Sequence, residues 1–412
     1  MKGETVAKHL TGQSRLQRGG VWIVDEASML SARDLAALLD AAGKASARVV
    51  LVGDVKQLGS VGAGAAFAQL QRAGMETAKL DEIVRQTNTA TRDAVLASIG
   101  GDARMALAAL DRGGGSIIEN PDRAERFAAI ARHYAQLDNA TRAKTLIIEP
   151  SREGRDALTA DIRAELAKAG ALSGPAVIMQ SLVGKGLSRA ETRDPISYEI
   201  GDKVRFSRDY ADKGVSRGET YRVEDVDPAK SSVALKAEDG RDIDWRLRQW
   251  GAGKVEAFTA QALELKAGDR IQFTRNDRER GRINGERGTV TAIDEQARSA
   301  TIWSPRSQDQ TLKLDLTRDQ HIRHAYVETA FAAQGRTADH VIIHADSRAT
   351  NLVDQKSFYV SVSRARESVA IYTNDRAKLV SAINERAGLA QTALATNPLD
   401  IDSSKAIGAG LG

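Results

Sequence analysis

Apolar and polar positions alternate along this chain in two different rhythms. Val21-Trp-Ile-Val24 is a short apolar run that ends in the acids Asp25-Glu26, and residues 48–54 repeat that form, ending in Gly53-Asp54. Between them, Leu30–Ala42 has apolar residues at helical spacing. The order predicts strand, helix, strand, the rhythm of a parallel α/β sheet. Residues 90–137 are Ala-rich and read as helical, broken by Gly113-Gly114-Gly115. Lys144–Glu149 has the composition of a buried strand and Asp156–Ala169 that of a helix, so a second α/β unit begins near residue 143. Ala325–Thr329, His340–Ala345 and Ser368–Thr373 again read as strands of such a sheet.

From about 197 to 317 the pattern changes to β-type alternation, so the second α/β unit is interrupted by a β-rich segment. That segment repeats itself. Gly201-Asp-Lys-Val-Arg-Phe-Ser-Arg208 matches Gly268-Asp-Arg-Ile-Gln-Phe-Thr-Arg275, 67 residues later, and the same offset aligns Gly218-Glu219 with Gly285-Glu286, Val223 with Val290 and Val226 with Ile293. Turn glycines and inward apolar positions are both kept. Two copies of a strand–turn–strand unit predict two small, SH3-like β-barrels in tandem. Phe206 and Phe273 fit the cores of these units better than a nucleobase-stacking surface.

Composition adds limits. The 412 residues are 42% hydrophobic and 28% charged, ordinary for a globular protein of two or three domains. No apolar run approaches the length of a membrane span, and the N-terminus lacks the apolar core of a signal peptide. No cysteine is present, so disulfides and thiolate metal sites are excluded. These features fit a cytoplasmic protein. The net charge of +4 and pI near 9.1 are compatible with a nucleic-acid partner without requiring one.

The chemistry lies at the strand ends, where open α/β sheets bind ligands. An acid at position 25 can hold Mg²⁺ through water, and its neighbour Glu26 can orient an attacking water. Gly53-Asp54-x-x-Gln57-Leu58 ends the next strand. Its glycine allows a tight turn beside a ligand, and Gln57 can hydrogen-bond a terminal phosphate. Arg85, in Leu80-Asp-Glu-Ile-Val-Arg85-Gln86, offers one guanidinium; Ser363-Arg364-Ala365-Arg366 offers others, the chemistry suited to spread phosphoryl charge. Each element alone is common. Their order is not.

The set Asp-Glu-Ala-Ser, Gly-Asp-x-x-Gln-Leu, Ile-x-Arg-Gln, Thr329-x-x-x-x-Gln334-Gly335-x-Thr337 and Val-Ser-Arg-Ala resembles the superfamily 1 DNA helicases, within them the RecD-like branch. It looks most like the helicase region of TraI/TrwC-type (MobF family) conjugative relaxases, across about residues 1–380. The resemblance implies two RecA-like lobes of the P-loop NTPase type with ATP between them and single-stranded DNA across their top. The boundaries would be 1–138 for the first lobe, 139–196 and 318–380 for the second, 197–317 for the tandem insert and 381–412 for a flexible tail. Asp25 would organise Mg²⁺, Glu26 would be the general base, and Gln57 would sense the γ-phosphate. Gly53 and Asp54 would lie beside the nucleotide, and Arg85 and Arg364 would be arginine fingers from opposite lobes, with Arg366 in support. Gln334 and Gly335 would couple nucleotide to DNA, with Thr329 near the strand. In the insert, Arg205, Arg208, Arg270 and Arg275 would touch phosphates. The implied activity is ATP-driven 5′-to-3′ movement on single-stranded DNA during conjugative transfer.

The sequence departs from that pattern in one respect. The phosphate-binding loop, Gly-x-x-x-x-Gly-Lys-Ser/Thr, belongs upstream of the Asp-Glu strand, and no such loop occurs in the 412 residues. Gly184-Lys-Gly186 and Gly251-Ala-Gly-Lys254 lack its other positions. The expectation is a first lobe truncated at its N-terminus, Thr5–Leu10 being the remnant of an early helix, with the central strand and loop supplied by an upstream relaxase or first-lobe segment. ATP turnover by this chain is then expected to be negligible. A relaxase nicking site is also missing, since His340 and His344 flank a buried-type strand instead of forming a metal cluster. A non-hydrolysing single-stranded-DNA-binding accessory module is the alternative of a different class, and a non-functional fragment is a third.

Overall fold

A computed structural model describes residues 3–10, 19–59, 64–80, 82–305, 311–350 and 352–386. The expected tail therefore lies outside the described residues. Two compact units divide the chain, one drawn from Met1–Ile162 and Val327–Gly412, the other from Arg163–Tyr326.

The first unit opens with α1 (Val6–Lys8), β1 (Val21–Val24), α2 (Ala32–Lys44), β2 (Arg48–Leu51) and α3 (Ala66–Arg72). β1 and β2 pair in parallel, Val21 opposite Arg48 and Val24 opposite Leu51. α2 starts where the Ser31 hydroxyl accepts from the Asp34 N–H, an N-cap that satisfies one of the helix's free donors. Its Leu35, Leu38 and Ala42 recur on one face and pack on Trp22, Val24 and Phe67.

The same unit continues with α4 (Thr89–Ile99), α5 (Ala103–Ala109), β3 (Gly115–Glu119), α6 (Arg123–Gln136), α7 (Asn139–Ala143) and β4 (Thr145–Ile148). α8 (Arg152–Lys168) carries the chain across the boundary between the units. β3 corrects the sequence reading, which took residues 90–137 as helical on both sides of the break at Gly113–Gly115. The strand runs along β18, described below, as a sheet edge, so only Ile117 and Ile118 are partly covered and the apolar signal is weak. The glycine run lets it in: a Cβ on Gly115 would lie 1.7 Å from the Val369 carbonyl oxygen.

The second unit holds β5 (Ser173–Gly184), β6 (Lys203–Phe206), β7 (Thr220–Asp227), β8 (Ser232–Lys236), β9 (Asp242–Arg246), β10 (Val255–Ala267), β11 (Arg270–Phe273), β12 (Arg287–Asp294), β13 (Ser299–Trp303), β14 (Thr311–Asp315) and β15 (Ile322–His324). They form one sheet ordered β5-β10-β6-β7-β8-β9 and another ordered β14-β13-β12-β11-β15, with separate cores around Phe206 and Trp245 and around Phe273 and Ile302. The 67-residue repeat is reproduced strand for strand. β6, β7 and β8 correspond to β11, β12 and β13, both copies have a bulge (Val223/Asp225 and Val290/Ala292), and both have a residue at positive φ before the third strand (Ser231 49°, Arg298 48°). The Gly-Asp pairs also have one job. Asp202 accepts from the Glu199 N–H at 2.9 Å and pairs with Lys185; Asp269 accepts from the Lys266 N–H at 2.7 Å and pairs with Arg163. Phe206 and Phe273 are both buried, as read from the sequence.

The chain returns to the first unit through β16 (Val327–Glu328), β17 (Ala338–Ala345), α9 (Gln355–Val362), β18 (Ala365–Thr373) and α10 (Arg376–Glu385). A five-stranded parallel sheet results, ordered β16-β4-β17-β18-β3. Its core takes in Leu107 and Leu110 from the helical stretch, Ile148, Ile343, Phe358 and Ile371. The fold is mixed α/β with parallel sheets in one unit and antiparallel sheets in the other.

Candidate active site

β1 ends at Asp25 and Glu26, and the backbone turns sharply there. Glu26 has φ 52° and ψ 39°, a left-handed conformation that costs a non-glycine residue about 1–2 kcal/mol. Two hydrogen bonds hold the turn, from the Glu26 N–H to Asp25 Oδ1 at 2.9 Å and from the Ala27 N–H to the Val52 carbonyl at 2.8 Å. Gly53, on the next strand end, passes so close that a Cβ would sit 3.0 Å from the Ser28 nitrogen. The two strand ends are thereby packed side by side.

Asp54 then organises its own loop. Its Oδ1 accepts from the Lys56 N–H at 2.8 Å, and its Oδ2 accepts from Gln57 Nε2 at 3.3 Å and from the Tyr359 hydroxyl at 2.8 Å. Tyr359 is on α9, so this contact joins the end of β2 to the helix between β17 and β18 of the large sheet. Gln334 Nε2 donates to the Leu58 carbonyl at 3.1 Å, and a Cβ on Gly335 would lie 4.0 Å from Glu26 Oε1.

The guanidinium groups arrive from the same direction. Arg85 Nη1 donates to the Ser363 carbonyl at 2.9 Å, and Gln86 Nε2 donates to Ser363 and Ala365 carbonyls at 3.2 and 2.7 Å. Arg364 is 1% exposed and makes no salt bridge among the described residues, although Glu26 and Asp54 lie within electrostatic reach. It donates from Nε to the Val360 carbonyl, from Nη2 to Ser363 Oγ, both at 2.9 Å, and from Nη1 to the Arg336 carbonyl at 3.3 Å. Burial, and then the nearby Arg85 charge, push its pKa down to about 10, so it stays a cation at neutral pH. Glu26 is raised, first by burial and then by Asp25, while Arg364 and Arg85 oppose the rise. Burial, with Asp54 next to it, raises the Tyr359 hydroxyl far above the usual phenol, so it remains a donor.

Hydrogen bonds, close approaches and charge interactions thus link Glu26, Asp54, Gln57, Arg85, Gln334, Gly335 and Arg364 into one cluster, with the exposed Asp25 next to Glu26. Ser28 Oγ, Gln57 Oε1 and Gln334 Oε1 are buried there without a hydrogen-bond partner. Sequence reasoning gave Tyr359 and Gln86 no role, because their partners are hundreds of residues away. Thr329 accepts from the Ala332 N–H at 3.2 Å, within its own turn. Arg366 anchors by its carbonyl, which accepts from the Thr87 and Asn88 N–H groups. His344 sits in a buried network between Glu149 (2.5 Å) and Arg126 (3.0 Å), and His340 pairs with Ser368. Among the described residues no cluster of ligand side chains has metal-site spacing.

In the second unit, Arg205 and Arg275 flank the Phe258 ring at 6.0 and 5.9 Å. Arg205 Nη2 donates to Thr220 Oγ1 at 2.9 Å, and Arg275 pairs with Glu256 at 2.7 Å. His321 packs on the same ring, and burial followed by the two arginines pushes its pKa down to about 4. Arg208 is exposed, whereas Arg270 lies on β11.

Similarity to known proteins covers most of the chain. An AAA domain family model matches residues 1–120, and the viral superfamily 1 RNA helicase core domain matches residues 259–373. The multifunctional conjugation protein TraI of Escherichia coli is 25% identical over 92% of this chain and 24% of its own length. A probable conjugal transfer protein TraA of Sinorhizobium fredii is 24% identical over 89% of the chain and 25% of its own length. The conjugal transfer protein TraA of Agrobacterium fabrum is 27% identical over 56% of the chain and 20% of its own length. The chain therefore spans about a quarter of the length of TraI and of the Sinorhizobium fredii TraA. Among solved structures, a Pif1 helicase studied at forked DNA has a TM-score of 0.43 and 17% identity, covering 86% of this chain and 69% of the other. Bacteroides Pif1 with ADP-AlF3 and single-stranded DNA has a TM-score of 0.35 and 14% identity, covering 90% and 74%. In sequence, then, the chain is similar to the TraI and TraA conjugation proteins, and its residues 259–373 match the viral superfamily 1 RNA helicase core domain.

Proposed function

We propose that the first unit carries the nucleotide-responsive cleft of a DNA helicase, working in its parent conjugation protein as a cytoplasmic 5′-to-3′ translocase on single-stranded DNA. The observation that carries this is the meeting of Glu26 with two cations, Arg85 and Arg364, from beyond the second strand end. A buried arginine with no carboxylate partner is expensive unless a ligand's negative charge answers it. In this reading Asp25 would hold Mg²⁺ through water, Glu26 would take a proton from attacking water, and Gln57 and Gln334 would offer amide N–H groups to a terminal phosphate. The unpartnered amide oxygens of those two glutamines can accept from water, and each Nε2, which donates once within the protein, has a second hydrogen for a phosphate oxygen. When bound, Mg²⁺ supplies charge neutralisation between phosphates.

The fit is partial. Acids, sensing amides and arginines suit the terminal-phosphate end of ATP, but the 412 residues hold no glycine-lysine loop to cradle the other phosphates. We infer that this chain by itself has negligible ATP turnover, the loop coming from a further segment of the parent protein. In the insert, Arg205 and Arg275 around Phe258, with Arg208 and Arg270, are the proposed phosphate contacts, which makes DNA binding salt-dependent. A DNA-stimulated ATPase assay beside a Glu26→Gln control tests the cleft. Turnover at the level of the control is expected; hydrolysis far above it would overturn the inactive reading and keep Glu26 as base.

A further inference from the structure

The two copies in the second unit differ at one equivalent corner in a way that resembles a site. In each copy a loop after the first strand closes on itself through a two-residue bridge, Tyr210 with Val215 in the first and Asp277 with Arg282 in the second. Past the fourth strand the equivalence continues with an offset of 69, Trp245 and Leu314 both facing the third strand (Val233, Ala300). The N–H groups of Trp250 and Asp319 then bond back alike, to the carbonyls of Arg246 and Asp315. Trp250 and Asp319 are therefore the same position, as are Tyr210 and Asp277, and Val215 and Arg282.

In the second copy this corner is locked by charge. Arg282 lies over the Phe273 ring at 5.2 Å and grips Asp319 with two bonds of 3.1 and 2.9 Å. Arg282 is 9% and Asp319 5% exposed, so the corner is sealed. In the first copy, Trp250 stacks on Phe206 at 5.5 Å, and Tyr210 meets Trp250 at 5.2 Å. Both outer rings pack against the core of their copy and are partly exposed. An aromatic pair is thus not needed to close the fold, since its sister copy closes without one. Arg208, Arg217 and Arg248, each two positions along the chain from Tyr210, Val215 or Trp250, are exposed and form no salt bridge among the described residues. The loop's acids are engaged: Asp209 accepts from the Arg217 N–H, Asp212 pairs with Lys213, and Glu219 with Arg241.

We propose that Tyr210 and Trp250 form a nucleobase-stacking site for single-stranded DNA, present in the first copy and lost or never gained in the second. Flat rings with free guanidinium groups nearby match a strand's unstacked bases and its phosphates. This rests on the single-stranded-DNA reading above but not on the ATP cleft.

The full chain is titrated with a labelled dT oligonucleotide and with an abasic strand of equal length. Wild type is expected to prefer dT by about tenfold, the scale of one stacked base. Tyr210→Leu with Trp250→Leu should abolish that preference, Tyr210→Phe should keep it, and none of these should change the salt slope. Photocrosslinking of wild type to an iododeoxyuridine strand, which needs no variant, should label Tyr210 or Trp250. Equal binding of both strands, a preference that survives the double change, or labelling confined to other residues would overturn the stacking site alone. Failure of wild type to bind either strand would remove the DNA reading as well.

Discussion

Tyr359 and Asp54 show how much a single side chain can connect. The hydroxyl is the donor and the carboxylate the acceptor, at 2.8 Å, and Gln57 shares the same oxygen. Tyr359→Phe is expected to cost about 1–3 kcal/mol in denaturant unfolding, because a charged acceptor loses a partner. A double-mutant cycle with Asp54→Asn should show coupling, and additive losses would mean that the bond is not formed in solution. Glu26 makes a pH prediction. Its folded pKa is raised above the unfolded value, so the native state binds the proton more tightly and loses stability as pH climbs from the ordinary carboxylate range through the raised value. Glu26→Gln should therefore raise the melting temperature at pH 8 and leave it unchanged near pH 3.5; the effect is modest because the group is partly solvated. An equal gain at both pH values would show that charge is not the cause. Asp25, Glu26, Gln57, Arg85 and Arg364 could be picked out in the sequence because motif order singles them out. Tyr359 could not, since its role exists only through a contact between residues 305 positions apart.

At the scale of elements, β1 and β2 are unusual. Parallel strands are normally covered on both faces. Here Trp22 and Val24 are buried under α2 and α3, while Val21, Ile23, Val50 and Val52 are between 41% and 58% exposed. Trp22→Ala should destabilise by about 3–5 kcal/mol, as expected for truncating a buried aromatic. Ile23→Thr with Val50→Thr should stay within about 0.5 kcal/mol in thermal or denaturant melts of this chain, as exposed substitutions do. A large loss would mean that this face is packed in solution. The strands themselves were legible from their apolar runs. β3 was not, because an edge strand with two half-covered isoleucines carries little pattern and its neighbour is fixed by Gly115.

For the whole molecule, the second unit has its own cores and sheets, with α8 and β16 bracketing it in sequence. Residues 163–326 expressed alone are expected to melt cooperatively, as an independent domain should. A fragment without a cooperative transition would show that it depends on the first unit. The repeat offset had already announced two related halves, and turn glycines and inward apolar residues carried that signal. It did not announce their divergence, because Trp250 and Asp319 fall at a different offset from the strands before them.

The sequence by itself determined the rhythm of strands and helices, the duplication, and the ordered acids, amides and arginines, since these depend on local periodicity and residue type. Tertiary structure decided which of those groups meet. It set Arg364 in a dry pocket beside Arg85, joined Tyr359 to Asp54, and drew β3 into the large sheet. Burial and long-range pairing are properties of the folded chain, and no window of neighbouring residues contains them.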